Sequence, residues 1–168
     1  RLVRDWSSDV CSSDLVAGGQ SVTLTESSTF TGAVAFTSPG TIASVEINDS
    51  NLFELQTLTL TRDLTVTAGG DITDDGSTIT VGNNFAATTD AGSGAIDLPH
   101  LAVDETIALT TDGTGDATVV NATGIEFAAS DVNRNLSATA TTGTITQSGA
   151  LDIEGTTTLV TAAQGQAI

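Results

Sequence analysis

The sequence predicts an all-β solenoid, a stack of short strands wound into coils. Three observations carry that prediction. Apolar residues alternate with threonine over short stretches, and clusters of Gly, Asn and Asp interrupt those stretches every ~8–12 residues. The chain also resembles itself at a spacing of 72 residues. The rival fold is a pair of Ig-like β-sandwiches. A 72-residue unit is short for a sandwich, and the missing core Trp and Tyr count against it.

Composition comes before pattern. The 168 residues suffice for a domain with a real core, and 39% of them are hydrophobic, which separates the chain from disordered sequences. Thr is the commonest residue, at 31, and its β-branched side chain suits a pleated surface. Aromatic residues are only 4% and Lys is absent. The formal net charge of −17 argues against nucleic acid as a partner, because phosphate binding needs Lys and Arg to displace counterions. It argues equally against anionic membrane surfaces, and no apolar run approaches the ~20 residues of a membrane span.

The N-terminal segment stands apart. Residues 5–15, Asp-Trp-Ser-Ser-Asp-Val-Cys-Ser-Ser-Asp-Leu, resemble a translated short-read sequencing adapter. Residues 1–15 are therefore expected to be an artefactual leader and are excluded from fold reasoning. The exclusion removes the sole Trp (Trp6), the sole Cys (Cys11), Arg1 and Arg4. Arg62 and Arg134 remain as the only strong bases against 18 acids, and no cysteine is left for disulfides or thiolate metal sites.

Along the rest of the chain, alternation marks strands at 21–25, 57–61, 64–68, 78–81 and 143–146. Turns are expected at 68–71, 74–76, 82–84, 92–94 and 112–116, where Gly, Asn and Asp tolerate positive φ. The repeat then organises these elements. A shift of 72 lays Ile47 on Val119, Phe53 on Ile125, Leu55 on Phe127, Leu60 on Val132, Leu64 on Leu136 and Ala68 on Ala140. Arg62 falls on Arg134. With single-residue slips, Ile72 meets Ile145 and Val81 meets Ile153. The expected units are 16–95 and 96–168, the second truncated at its end.

If each unit holds three coils of ~24 residues, about six coils are present. The expected inward row is Leu58, Leu60, Leu64, Val66, Ile79 and Val81, with Leu136, Ile145, Leu151 and Ile153 in the second copy. That core is expected to be a narrow tube of small aliphatics with little room for aromatic rings. Arg62 lies on the apolar parity, and a lone charge is not stably buried. It is therefore expected at an outward corner, paired with Asp63 or another loop acid.

Two segments, Thr29-Phe-Thr-Gly-Ala-Val-Ala-Phe36 and Leu58 through Thr73, resemble the repeats of filamentous-haemagglutinin-like bacterial adhesins, as does Gly143 through Leu159. The resemblance covers residues 21–168. It implies a right-handed parallel β-helix exported to the bacterial surface, where such repeats form the shaft of an adhesin. No secretion domain of that family is recognisable in these residues.

Catalytic, cofactor-binding and metal residues are all expected to be none, so an enzyme is not expected. His100 is the sole His, in Leu98-Pro-His-Leu101, and reads as a turn residue. Bases are too scarce for the lyase chemistry of other β-helices, and no Ser/His/Asp arrangement is present. Calcium is the one ion with candidate loops, at 71–76 and 112–116, and neither matches an EF-hand or a Gly-Gly-x-Gly-x-Asp repeat. The expected function is a non-catalytic shaft, extracellular or on the cell surface, whose partners are neighbouring repeats of the same chain. The alternatives are a module contacting host or environmental glycans or matrix, and a surface-layer building block.

Overall fold

A computed structural model describes residues 19–38 and 40–168, and the leader expected at 1–15, with Trp6 and Cys11, lies outside the described residues. The described chain is all-β, with 17 strands joined into one continuous hydrogen-bonded system. Every strand pairing is parallel, which excludes the antiparallel sandwich.

The strands follow one another around about seven turns. The first turn holds β1 (Gln20–Ser28) and a bridge from Val34 to Leu55. The second holds β2 (Ile42–Asp49), β3 (Phe53–Leu55) and β4 (Leu58–Leu60). The third holds β5 (Leu64–Ala68), β6 (Ile72–Asp74) and β7 (Ile79–Val81). The fourth holds β8 (Phe85–Thr89) and β9 (Ile96–Val103), the latter bent at Pro99 and His100 so that its two halves serve two faces. The fifth holds β10 (Thr106–Thr110) and β11 (Ala117–Asn121), and β11 pairs with both halves of β9. The sixth holds β12 (Ile125–Phe127) and β13 (Ser130–Val132), which both pair with β10, and β14 (Leu136–Ala140); the last holds β15 (Ile145–Gln147), β16 (Leu151–Ile153) and β17 (Thr157–Thr161).

The coil is shorter than the expected ~24 residues, so the turns number about seven rather than six. On one face Val45 pairs with Leu64, Leu64 with Phe85 and Phe85 with Ile107, steps of 19, 21 and 22 residues. On the next face Ile72 pairs with Ile96, Ile96 with Ala117, Ala117 with Leu136 and Leu136 with Thr157, steps of 24, 21, 19 and 21. Corner length varies freely because only the strands must stay in register.

The 72-residue repeat is consequently not a whole number of coils. Adding 72 to β3, β4, β5, β7 and β8 gives the bounds of β12, β13, β14, β16 and β17. The turn of β10 and β11 has two long arms, because β11 covers both halves of β9 and β10 underlies both β12 and β13. Copy-related strands therefore sit on different faces. β5 pairs with β2 and β8, whereas its copy β14 pairs with β11 and β17 on the neighbouring face.

The core is a single axial column of inward side chains. Leu58, Leu60, Leu64, Val66, Ile79, Val81, Leu136 and Ile145 are buried as expected, while Leu151 and Ile153 are partly buried against the column. The expectation of a tube with little room for aromatic rings is corrected. Phe53, Phe85 and Phe127 are among the largest fully buried side chains, in a column that also holds buried alanines such as Ala87 and Ala138.

Coils are locked at the corners by Asp and Asn side chains. The Asp63 N–H donates to Ser44 Oγ at 3.4 Å, the Asn84 N–H to Asp63 Oδ1 at 3.3 Å, and Thr106 Oγ1 to Asn84 Oδ1 at 2.8 Å. In the second copy the Asn135 N–H donates to Asp116 Oδ1 at 3.0 Å and the Thr156 N–H to Asn135 Oδ1 at 2.9 Å. Each such bond joins one coil to the next, at about 1 kcal/mol net.

Three substitutions test this packing by chemical denaturation. Phe85→Ala empties a fully buried site and is expected to cost ~3–5 kcal/mol. Gly82→Ala places a methyl 2.7 Å from the Thr61 carbonyl oxygen of the coil below, and is expected to cost ~1–3 kcal/mol. Thr65→Ala, on the outward row of the same strand system, is expected to stay within ~0.5 kcal/mol.

Candidate functional site

Arg62 and Arg134 both lie at exposed bends, as their parity and spacing predict. They occupy successive edges of the solenoid rather than one. Arg134 lies 3.6 Å from Asp116, with both side chains about half exposed. Such a pair contributes ~0–1 kcal/mol and is screened by salt. The pairing expected between Arg62 and Asp63 is not formed: among the described residues Arg62 makes no ion pair. Asp63 instead accepts from the backbone and side chain of Asn84, at 3.3 and 3.1 Å, as part of the corner ladder. Both arginines act through their backbones. The Arg62 carbonyl accepts from Asn83 N–H and the Arg134 carbonyl from Gly155 N–H.

His100 is the exposed corner residue of β9, and its ring is not idle. Nδ1 lies 2.9 Å from Asp74 Oδ1, and the His100 backbone N–H donates to Asp74 Oδ2 at 3.2 Å. Asp74 Oδ1 also accepts from Gly76 N–H at 2.9 Å. The Asp74 side chain is 1% exposed, so these donors compensate a carboxylate withdrawn from water. The pair fastens the loop of one coil to the bend of the next.

The two loops singled out for calcium are engaged in turn and ladder bonds. Asp71 Oδ1 accepts from Ala95 N–H at 2.8 Å, Asp75 Oδ1 from Ser77 N–H at 2.9 Å, and Asp116 Oδ1 from Asn135 N–H and Nδ2. Among the described residues no group of three His, Cys, Asp or Glu side chains is disposed to hold a metal ion.

A groove of about 680 Å³ opens over the corner that follows β2. Phe30, Asp49, Leu52, Glu54, Gly70 and Asp71 line it. Tight stacking makes it: a Cβ on Gly70 would come within 3.1 Å of Leu52 N. Asp49 ends β2 on the inward side and is 1% exposed. Its Oδ1 accepts from Phe30 N–H at 3.2 Å and Asn51 N–H at 3.1 Å. Its buried Oδ2 has no hydrogen-bond partner among the described residues. Alternation had left a trace of this site, since Val45, Ile47 and Asp49 share one parity and an acid there faces inward. A second, shallower groove of about 220 Å³ lies between Asp104, Glu105, Thr123, Glu126, Thr144 and Thr146. Both grooves are acidic, and neither contains a base or an activated nucleophile.

No curated protein and no solved structure gives a significant match to the chain. A family model matches it twice, over residues 43–112 and 114–168, starting points 71 residues apart. That spacing is the internal repeat within one residue, and the two stretches cover most of the wound strands. The chain belongs to the family of repeats of unknown function (DUF5649).

Proposed function

We propose that the chain is part of a shaft, a non-catalytic structural spacer of a secreted or cell-surface bacterial protein of adhesin type. The observation that carries this reading is that the 72-residue repeat is not a whole number of coils, so that β5 and its copy β14 lie on different faces. The two copies point their equivalent side chains in different directions around the axis. An array of such copies presents no single face repeatedly, which suits an inert rod. A repeated glycan-binding module would gain avidity from copies aligned on one side.

The physics of extension agrees. Backbone hydrogen bonds run along the axis from coil to coil, so every added turn continues the same ladder. The neighbouring partner of each repeat is the next repeat. The acidic outer rows keep shafts soluble and apart. The reading places the protein outside the cell, in keeping with the adhesin resemblance.

Tandem chains carrying one, two and four copies test it by small-angle scattering. With coils ~4.8 Å apart, each copy is expected to lengthen the particle by about 16 Å at constant cross-section. A maximum dimension that grows only as a compact globule does would reject the rod. Binding of a single-copy chain to a glycan panel with micromolar affinity would favour the module instead.

A further inference from the structure

We infer that Asp49 forms a calcium site whose cage the fold builds twice and whose charge only the first copy supplies. A shift of 72 lays Asp49 on Asn121, and the two occupy the same environment. Asp49 ends β2 and Asn121 ends β11; Asp49 pairs with Ala68 and Asn121 with Ala140. The Asp49 carbonyl accepts from Gly69 N–H at 2.8 Å, and the Asn121 carbonyl from Thr141 N–H at 2.8 Å. Both side chains are buried, at 1% and 0% exposure. In both, Oδ1 accepts a backbone N–H of the preceding coil: Phe30 for Asp49 and Val103 for Asn121.

The second side-chain atom differs. Asn121 Nδ2 donates to three oxygens, the Val103 carbonyl at 2.9 Å, Thr123 Oγ1 at 3.1 Å and the Gly124 carbonyl at 2.7 Å. The fold therefore gathers acceptors around this atom. In the first copy the residues in the matching places are Phe30, Asn51 and Leu52, all on the wall of the groove. Asp49 puts a carboxylate oxygen where its copy has an amide donor. Where the copy's amide has three acceptors, the Asp49 Oδ2 has no partner. A buried charged acceptor left in that state is costly.

A hard cation resolves the conflict. Oxygens ~3 Å apart form the edge of a coordination polyhedron with metal–oxygen bonds of ~2.4 Å, the range of calcium. Calcium accepts irregular sets of carboxylate and carbonyl oxygens, whereas magnesium requires near-ideal octahedra at ~2.0–2.1 Å. The groove gives a path from solvent, and Glu54 and Asp71 on its wall add negative charge. The site concerns one corner of the fold and stands independently of the shaft reading.

The test is thermal denaturation and calorimetric titration of the full chain in calcium or chelator, with magnesium and sodium at matched ionic strength. The wild-type chain is expected to bind one calcium and to gain about 5 °C in Tm at a hundredfold excess over the dissociation constant. Asp49→Asn restores the amide of the second copy. It is expected to lose the calcium response and to melt in chelator no lower than the wild type. Asn121→Asp is expected to melt lower in chelator and to recover in calcium. The site is overturned by a wild-type Tm that calcium leaves unchanged. It is equally overturned by a response that magnesium and sodium reproduce, or by one that Asp49→Asn retains.

Discussion

The parallel hydrogen-bond ladder that runs along the axis governs everything else in this molecule. Because each strand bonds to the strand one coil on, every residue has a neighbour about 21 positions away in sequence at strand spacing. Side chains must then tolerate that neighbour on the same face. Inside, the demand is met by stacking aliphatic on aliphatic, as Leu58 on Ile79 and Ile79 on Leu101. At corners it is met by glycine or by polar groups that bond along the axis. Thr89 Oγ1 donates to the Gly94 carbonyl and accepts from Asp112 N–H; Thr111 Oγ1 repeats both roles with Gly115 and Asn133. These buried hydroxyls satisfy backbone groups that leave the ladder at the bend.

Two periods coexist because the three faces are nearly interchangeable. A strand of three to five residues with alternating inward side chains fits any face, so a sequence unit can be laid down again on a different face. What must be conserved between copies is volume in the column rather than residue identity. Phe53 and Leu55 of β3 become Ile125 and Phe127 of β12, which keeps one ring and one aliphatic in each pair of inward positions. Val66 becomes Ala138 with neither exposed, so the layers around the smaller residue compensate. The slip of one residue between β6 and β15 falls in a corner, where length is free.

Much of the fold was legible before any coordinates. Strict alternation located β4, β5 and β7, and the inward row read from it is the core. Coil length was not legible, because the sequence repeats at 72 and a division by three assumes that repeat and coil are commensurate. The buried rings were missed because rarity of Phe in the composition says nothing about where the few lie. The buried polar residues were hidden for another reason. Asp49, Thr89, Thr111 and Asn121 close strands and precede Gly, Asn or Asp turns, so they read as turn residues. Only their parity with the apolar row separates an inward cap from an outward one. For the acidic site, the comparison of Asp49 with Asn121 at the repeat spacing was available in the sequence; the crowd of oxygens around the amide was not.

Charge in this protein has to be weighed by place rather than by count. Asp131 and Asp152 pair in register on adjacent coils, so their carboxylates stack along an exposed strand edge. Two unit charges ~5 Å apart repel by about 1 kcal/mol in water, and salt reduces that further. A column of such pairs is affordable when each added coil brings several backbone hydrogen bonds and an inward row of apolar side chains. A single carboxylate oxygen inside the wall is different. Left unsatisfied it costs about 1–3 kcal/mol or more, as much as several surface pairs together. The net charge of −17 thus sets how the outside meets its surroundings, whereas one buried atom of Asp49 decides whether the first corner is complete without a bound ion.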